Sequence, residues 1–113
     1  MKPLMRLHIL IFLVLGLVCT SSIADSELGQ KYYIIYMKDA TNMKGAVFTK
    51  QHTQLEWKEL FDDNAQKFSI EYTRKYPALK TFLKSEEFQK VRIDIRDFCI
   101  EFAKDTMGVA AGC

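Results

Sequence analysis

The residues of this chain whose chemistry could serve a function are few. They are one histidine, two cysteines, two pairs of adjacent carboxylates and a group of aromatic side chains. His52 is the only histidine beyond the first 24 residues. An imidazole can work as acid, base or ligand, but those roles need an orienting partner. A zinc site needs further His or Cys ligands close by in the fold. A structural or solvated role is the ordinary reading of a lone histidine. Asp62-Asp63 and Glu86-Glu87 are adjacent carboxylates. Neighbours in a helix do not face each other, and acids favour caps and first turns. Both pairs therefore read as helix-terminus residues. Tyr32, Tyr33, Tyr36 and Trp57 either pack inward as core or line an apolar pocket. His52, Trp57, Tyr33 and Tyr36 form the candidate ligand-binding set. No Gly-rich phosphate loop, no Ser-His-Asp arrangement and no nucleophile with an adjacent base occurs. The sequence thus points to a non-enzymatic protein with no catalytic residues and no metal ligand set.

The two cysteines must be read together with the amino end. Lys2 and Arg6 precede an apolar run over 9–18, and Ser22-Ile23-Ala24 fits the small-x-small site of signal peptidase. This predicts a cleavable signal over 1–24 and a mature domain over 25–113. The run falls short of the roughly 20 residues that cross a bilayer, so an uncleaved anchor is the lesser alternative. Cys19 lacks the small preceding residue of a lipobox. Export to the periplasm or the exterior makes Cys99 and Cys113 candidates for one disulfide. Such a bridge would stabilise by about 3 kcal/mol. Two free thiols or a redox pair are the alternatives, although the spacing is not Cys-x-x-Cys.

Charge narrows the partners. The chain has 16 Lys and Arg against 14 Asp and Glu, and the excess is Lys2 and Arg6 in the leader. The mature part is neutral, with the two signs interspersed and no basic stripe for phosphates, so nucleic acid is not an expected partner. No stable membrane insertion is expected after cleavage.

The elements that position these groups read as helices. The expected fold is all-α, a single bundle of four to six helices with an aromatic core and one disulfide. Leu28, Tyr32, Ile35 and Tyr36 form an apolar stripe on a helix over about 27–38, capped by Asp25 or Ser26. Residues 39–45 read as a loop, and 46–51 as a short helical turn with Val47 and Phe48. Thr53-Gln54-Leu55-Glu56 matches a capping box that starts a helix with Trp57, Leu60 and Phe61. Asp62-Asp63-Asn64 ends or kinks it. Ala65, Phe68, Ile70 and Tyr72 continue towards Tyr76, and Pro77 opens a short helix with Leu79, Phe82 and Leu83. Ser85 caps a last helix with Phe88, Val91, Ile95, Phe98, Cys99 and Phe102 on one face, and Gly108 and Gly112 mark a frayed tail.

Gly29-Gln30-Lys31-Tyr32-Tyr33 resembles the opening helix of small c-type cytochromes, which often carry a glycine, an aromatic four residues on, and then Cys-x-x-Cys-His. In that register the attaching cysteines fall at Met37 and Ala40 and the axial histidine at Thr41. None of the three is present, so no thioether to haem can form there. Segments 45–48 and 52–57 are similar to small exported bacterial cytochrome-like proteins. The resemblance implies a helical fold. It also implies an alternative function, an electron carrier holding haem non-covalently through His52 with Met37 or Met43. The main expectation is a module with no cofactor that binds a protein or a small apolar ligand through aromatic surface left over from the core. Secretion from a eukaryotic cell fits the same leader.

Overall fold

The computed structural model describes residues 26–106, all helix, turn and connection with no strand among them. Helix α1 covers 26–36. Met37 departs from helical geometry at φ −122°, and α2 (Lys38–Thr41) resumes the path until Asn42 closes it in the left-handed region at φ 56°. The short α3 (Gly45–Phe48) runs into a 3₁₀ turn (Thr49–Gln51). Then come the long α4 (Gln54–Lys75), a 3₁₀ turn (Pro77–Leu79), α5 (Lys80–Leu83) and α6 (Glu86–Glu101).

Local chemistry explains the boundaries. The Thr53 hydroxyl accepts from Glu56 N–H at 3.2 Å, and Thr53 N–H donates to the Glu56 carboxylate at 2.8 Å. Two otherwise orphan donors at the start of α4 are thus satisfied reciprocally. Ser85 accepts from Phe88 N–H at 3.2 Å to open α6, and Glu86 and Glu87 occupy its first turn. Pro77 begins its 3₁₀ turn and holds Tyr76 outside helical geometry.

α4 and α6 run antiparallel. Phe68 stacks towards Phe88 with ring centroids 6.0 Å apart, while at the opposite end Lys104 N–H donates to the His52 carbonyl. The core is one aromatic column. Trp57, Phe61, Phe68 and Tyr72 follow each other on α4, with Phe61–Phe68 and Phe68–Tyr72 stacked at 4.4 Å. Phe48 joins Trp57 and Tyr72 from below, and Tyr33 stands 4.7 Å from Phe48. Phe88, Val91, Ile95, Phe98 and Cys99 supply the α6 wall.

Several expectations change. The buried face of α1 is Gly29, Tyr33 and Met37; Leu28 and Ile35 point outward, and Tyr32 and Tyr36 flank the core. The reason is Gly29. A Cβ there would overlap the Asp94 carbonyl oxygen and lie 2.6 Å from Phe98 Cβ, so α1 and α6 cross at backbone distance. The crossing sets the rotation of α1, and hydrophobicity alone mispredicts it. On α4, Ile70 is exposed and Leu60 half-buried. The expected break at Asp62-Asp63-Asn64 is a left-handed turn: Asp63, Asn64 and Ala65 have φ 51°, 57° and 60°.

Among the described residues there is no disulfide, so the expected Cys99–Cys113 bridge is not shown. Cys99 is a free thiol, completely buried, and Cys113 lies outside the described residues. A disulfide needs the two Cβ atoms within about 4.5 Å, so its partner would have to enter the core beside Ile95 and Phe98. The expected signal over 1–24, the Asp25 cap and the glycine tail also fall outside the described residues. Within them, no helix is long and apolar enough to cross a membrane.

Candidate functional site

His52 sits in the joint between the 3₁₀ turn and α4, where Thr53 begins the helix. Its side chain is partly exposed. Nε2 lies 3.2 Å from Glu71 and Nδ1 3.7 Å from Glu56. The ring meets Trp57 edge-on at 4.8 Å. Lys75 approaches the same Glu71 oxygen at 3.7 Å. Both imidazole nitrogens therefore face carboxylates of α4, and the ring packs on the next aromatic. Glu56 is held below the usual carboxylate range, first by the Thr53 N–H and then by the Thr53 hydroxyl.

A second polar group lies beside it. The Gln51 amide accepts a short hydrogen bond from Tyr72 O–H and donates to Tyr76 Oη at 3.1 Å and to the Met43 sulfur at 3.5 Å. Burial raises the Tyr72 hydroxyl well above its ordinary value. Trp57 Nε1–H donates to the Thr49 carbonyl at 3.0 Å. Tyr33 O–H donates to the Met43 carbonyl at 2.7 Å and shares a 2.7 Å bond with Thr41 Oγ1. Burial pushes its pKa up to about 12. These bonds share one target, the irregular stretch 41–52. Aromatic side chains of α1 and α4 reach across and hold it by their polar tips, satisfying groups that would be costly to bury unpaired.

The candidate residues thus have separate places. His52 and Trp57 touch. Tyr33 does not touch them; it reaches Trp57 through Phe48, deep in the core, and shares Met43 with Gln51. Tyr36 stacks on Phe82 at 4.7 Å and donates to Glu87 at 3.0 Å, which raises its pKa. Trp57 and Tyr33 are completely buried, so their aromatic surface is spent on the core. Cys99 is a poor nucleophile because burial raises its thiol pKa. Asp62 and Asp63 are split by the left-handed turn, and Glu87 is the Tyr36 acceptor. Among the described residues, no three His, Cys, Asp or Glu side chains gather as metal ligands.

Sequence reasoning missed an open groove of about 490 Å³ between α4 and α6, lined by Lys58, Phe61, Asp62, Arg96, Asp97 and Ile100. The Lys58–Asp62 spacing of four residues was a signal for a shared helix face, but pairing with Arg96 and Asp97 depends on the antiparallel register of α4 and α6. No family model, curated protein or solved structure matches this chain.

Proposed function

We propose that the chain is an exported helical interaction protein, not an enzyme, that meets a protein partner through the outer face of α1. The observation that carries this reading is an apolar surface the core does not use. Leu28, Ile34 and Ile35 are 39%, 48% and 57% exposed on a short helix whose inner face, through Tyr33 and Met37, is already fully buried. Exposed aliphatic residues grouped on one element favour contact with a partner, whereas scattered ones need no explanation. Aromatic side chains contribute little here, because the core has absorbed them.

The test is a photo-crosslinking side chain at Ile35 in the native host, with one at Lys90 on α6 as control. A discrete adduct from Ile35 alone supports the reading. Adducts from neither site, or equally from both, refute it. Intact mass of the exported protein tests cleavage after Ala24, and thiol labelling after denaturation counts the cysteines. Complete burial of Cys99 favours a free core thiol over a bridge to Cys113, so two labelled thiols are expected. Non-covalent haem gains no support from the packing around its would-be ligands. The His52 nitrogens face Glu71 and Glu56, the Met43 sulfur accepts from Gln51, and Met37 lies in the core. Haemin added to the protein should give no stoichiometric Soret band that a His52→Ala variant loses.

A further inference from the structure

We infer that the groove between α4 and α6 binds a small zwitterion with an apolar body, of the kind an aromatic or aliphatic amino acid presents. This site is separate from the outer face of α1. Its volume of about 490 Å³ falls within the range of small-molecule sites. Its apolar component is Phe61, which is almost fully buried, and the half-buried Ile100. Its polar component is balanced: Lys58 and Asp62 from α4, Arg96 and Asp97 from α6.

The arrangement of those charges selects the ligand. Arg96 turns along its own helix, and its Nε and Nη2 donate to Asp97 at 3.1 and 2.9 Å. That pair neutralises itself on one wall. Lys58 and Asp62 stand one turn apart on the other wall, both exposed, and neither closes an ion pair with the other or across the groove. A cation and an anion remain available side by side above an apolar floor. A purely anionic ligand would meet Asp62, and a purely cationic one would meet Lys58. A ligand with both charges satisfies each, with its carboxylate at Lys58 and its ammonium at Asp62. The left-handed turn that begins after Asp62 supports this placement. Asp62 has ψ 159°, so the chain leaves the helix at the residue that lines the groove.

The experiment is an amide-resolved NMR titration of the full chain with L-phenylalanine, N-acetyl-L-phenylalanine and L-phenylalaninamide. A dipeptide of alanine and phenylalanine forms a fourth arm, separating free amino acids from peptides. Exposed charge pairs are individually weak, so the expected preference for the zwitterion is about threefold to fivefold over each singly charged analogue. Shifts should centre on 58–62 and 96–100. Lys58→Ala should weaken phenylalanine and its N-acetyl form and leave the amide as tight or tighter. Asp62→Asn should weaken phenylalanine and the amide and leave the N-acetyl form as tight or tighter. Both positions are exposed, and each variant's spectrum reports whether it is folded. Equal binding of all three ligands would reduce the site to an apolar patch and overturn the inference. An absence of shifts at millimolar ligand in a folded spectrum, or shifts centred elsewhere, would overturn it too. A dipeptide that binds more tightly than the amino acid would overturn the assignment of a free amino acid to the groove.

Discussion

Position 29 and positions 63–65 make opposite demands on the side chain. At Gly29 the backbone is ordinary helix, and what matters is space: the Asp94 carbonyl occupies the place a side chain would take. At Asp63, Asn64 and Ala65 the backbone is left-handed, a conformation that suits glycine, yet no glycine is present. Asp and Asn visit this region more readily than most residues, but three in succession cost roughly 1–2 kcal/mol each. The first region is chosen for close packing. The second tolerates local strain where Ala65 must enter the core and Asp62 must face the groove. Arg92 helps to hold it, donating to Asn64 Oδ1 at 3.1 Å. Strain maintained by its surroundings is a pointer to a functional neighbourhood, and here the neighbour is the groove.

The largest expected effect breaks the first half of this contrast. Gly29→Ala should destabilise by about 3 kcal/mol or more, because the obstructing atom is backbone and the helices must separate. Chemical denaturation measures it. A loss below about 1 kcal/mol would mean that the crossing can relax. Asn64→Val attacks the second half. A β-branched residue in the left-handed region should cost about 2 kcal/mol, and a neutral result would show that the turn is not left-handed in solution. Asp63→Gly should do the reverse and stabilise by about 0.5–1 kcal/mol, the relief being partly offset by the greater freedom of glycine in the unfolded chain. If Asp63→Gly also weakens ligand binding in the groove, strain and site are coupled; if binding is unchanged, they are merely adjacent.

How much of this was legible in the sequence follows from the range of each interaction. Thr53, Ser85 and Pro77 act within one turn of chain, and the role of each is legible from its neighbours. The α6 stripe was also readable, since Phe88, Val91, Ile95 and Phe98 repeat with the helix period. The rotation of α1 was not, because Leu28 and Ile35 are more hydrophobic than Gly29 and the deciding atom belongs to Asp94, 65 positions away in sequence. The candidate set of His52, Trp57, Tyr33 and Tyr36 treated aromatic type as a sign of a pocket. The Tyr33 hydroxyl and the Trp57 indole instead hold the 41–52 stretch through the Met43 and Thr49 carbonyls, while Tyr36 donates to Glu87, and these acceptors carry no sequence signal for that role. The groove depends on register between two helices and was invisible for the same reason.

The remaining expected effect concerns the start of α4, where backbone demands are met by side chains and not by space or strain. The folded-state pKa of Glu56 lies below its ordinary value of 4.5. Its stabilising contribution is therefore fully present above the unfolded-state pKa and is lost as pH falls through the lower folded value. The backbone N–H of Thr53 is the larger cause and its hydroxyl the smaller, so two variants separate them. Thr53→Ala removes the hydroxyl but keeps the N–H bond to Glu56. It should cost about 1 kcal/mol at neutral pH and retain most of the acid dependence contributed by Glu56. Glu56→Gln removes the titrating group, so its stability gap from the parent should narrow as pH drops from neutrality to below 4.5. Denaturation of the parent and Glu56→Gln proteins at pH 7 and pH 3 decides the matter. A gap that stays constant would remove the Glu56 arm of the capping box and leave the Thr53 hydroxyl as the whole of the cap.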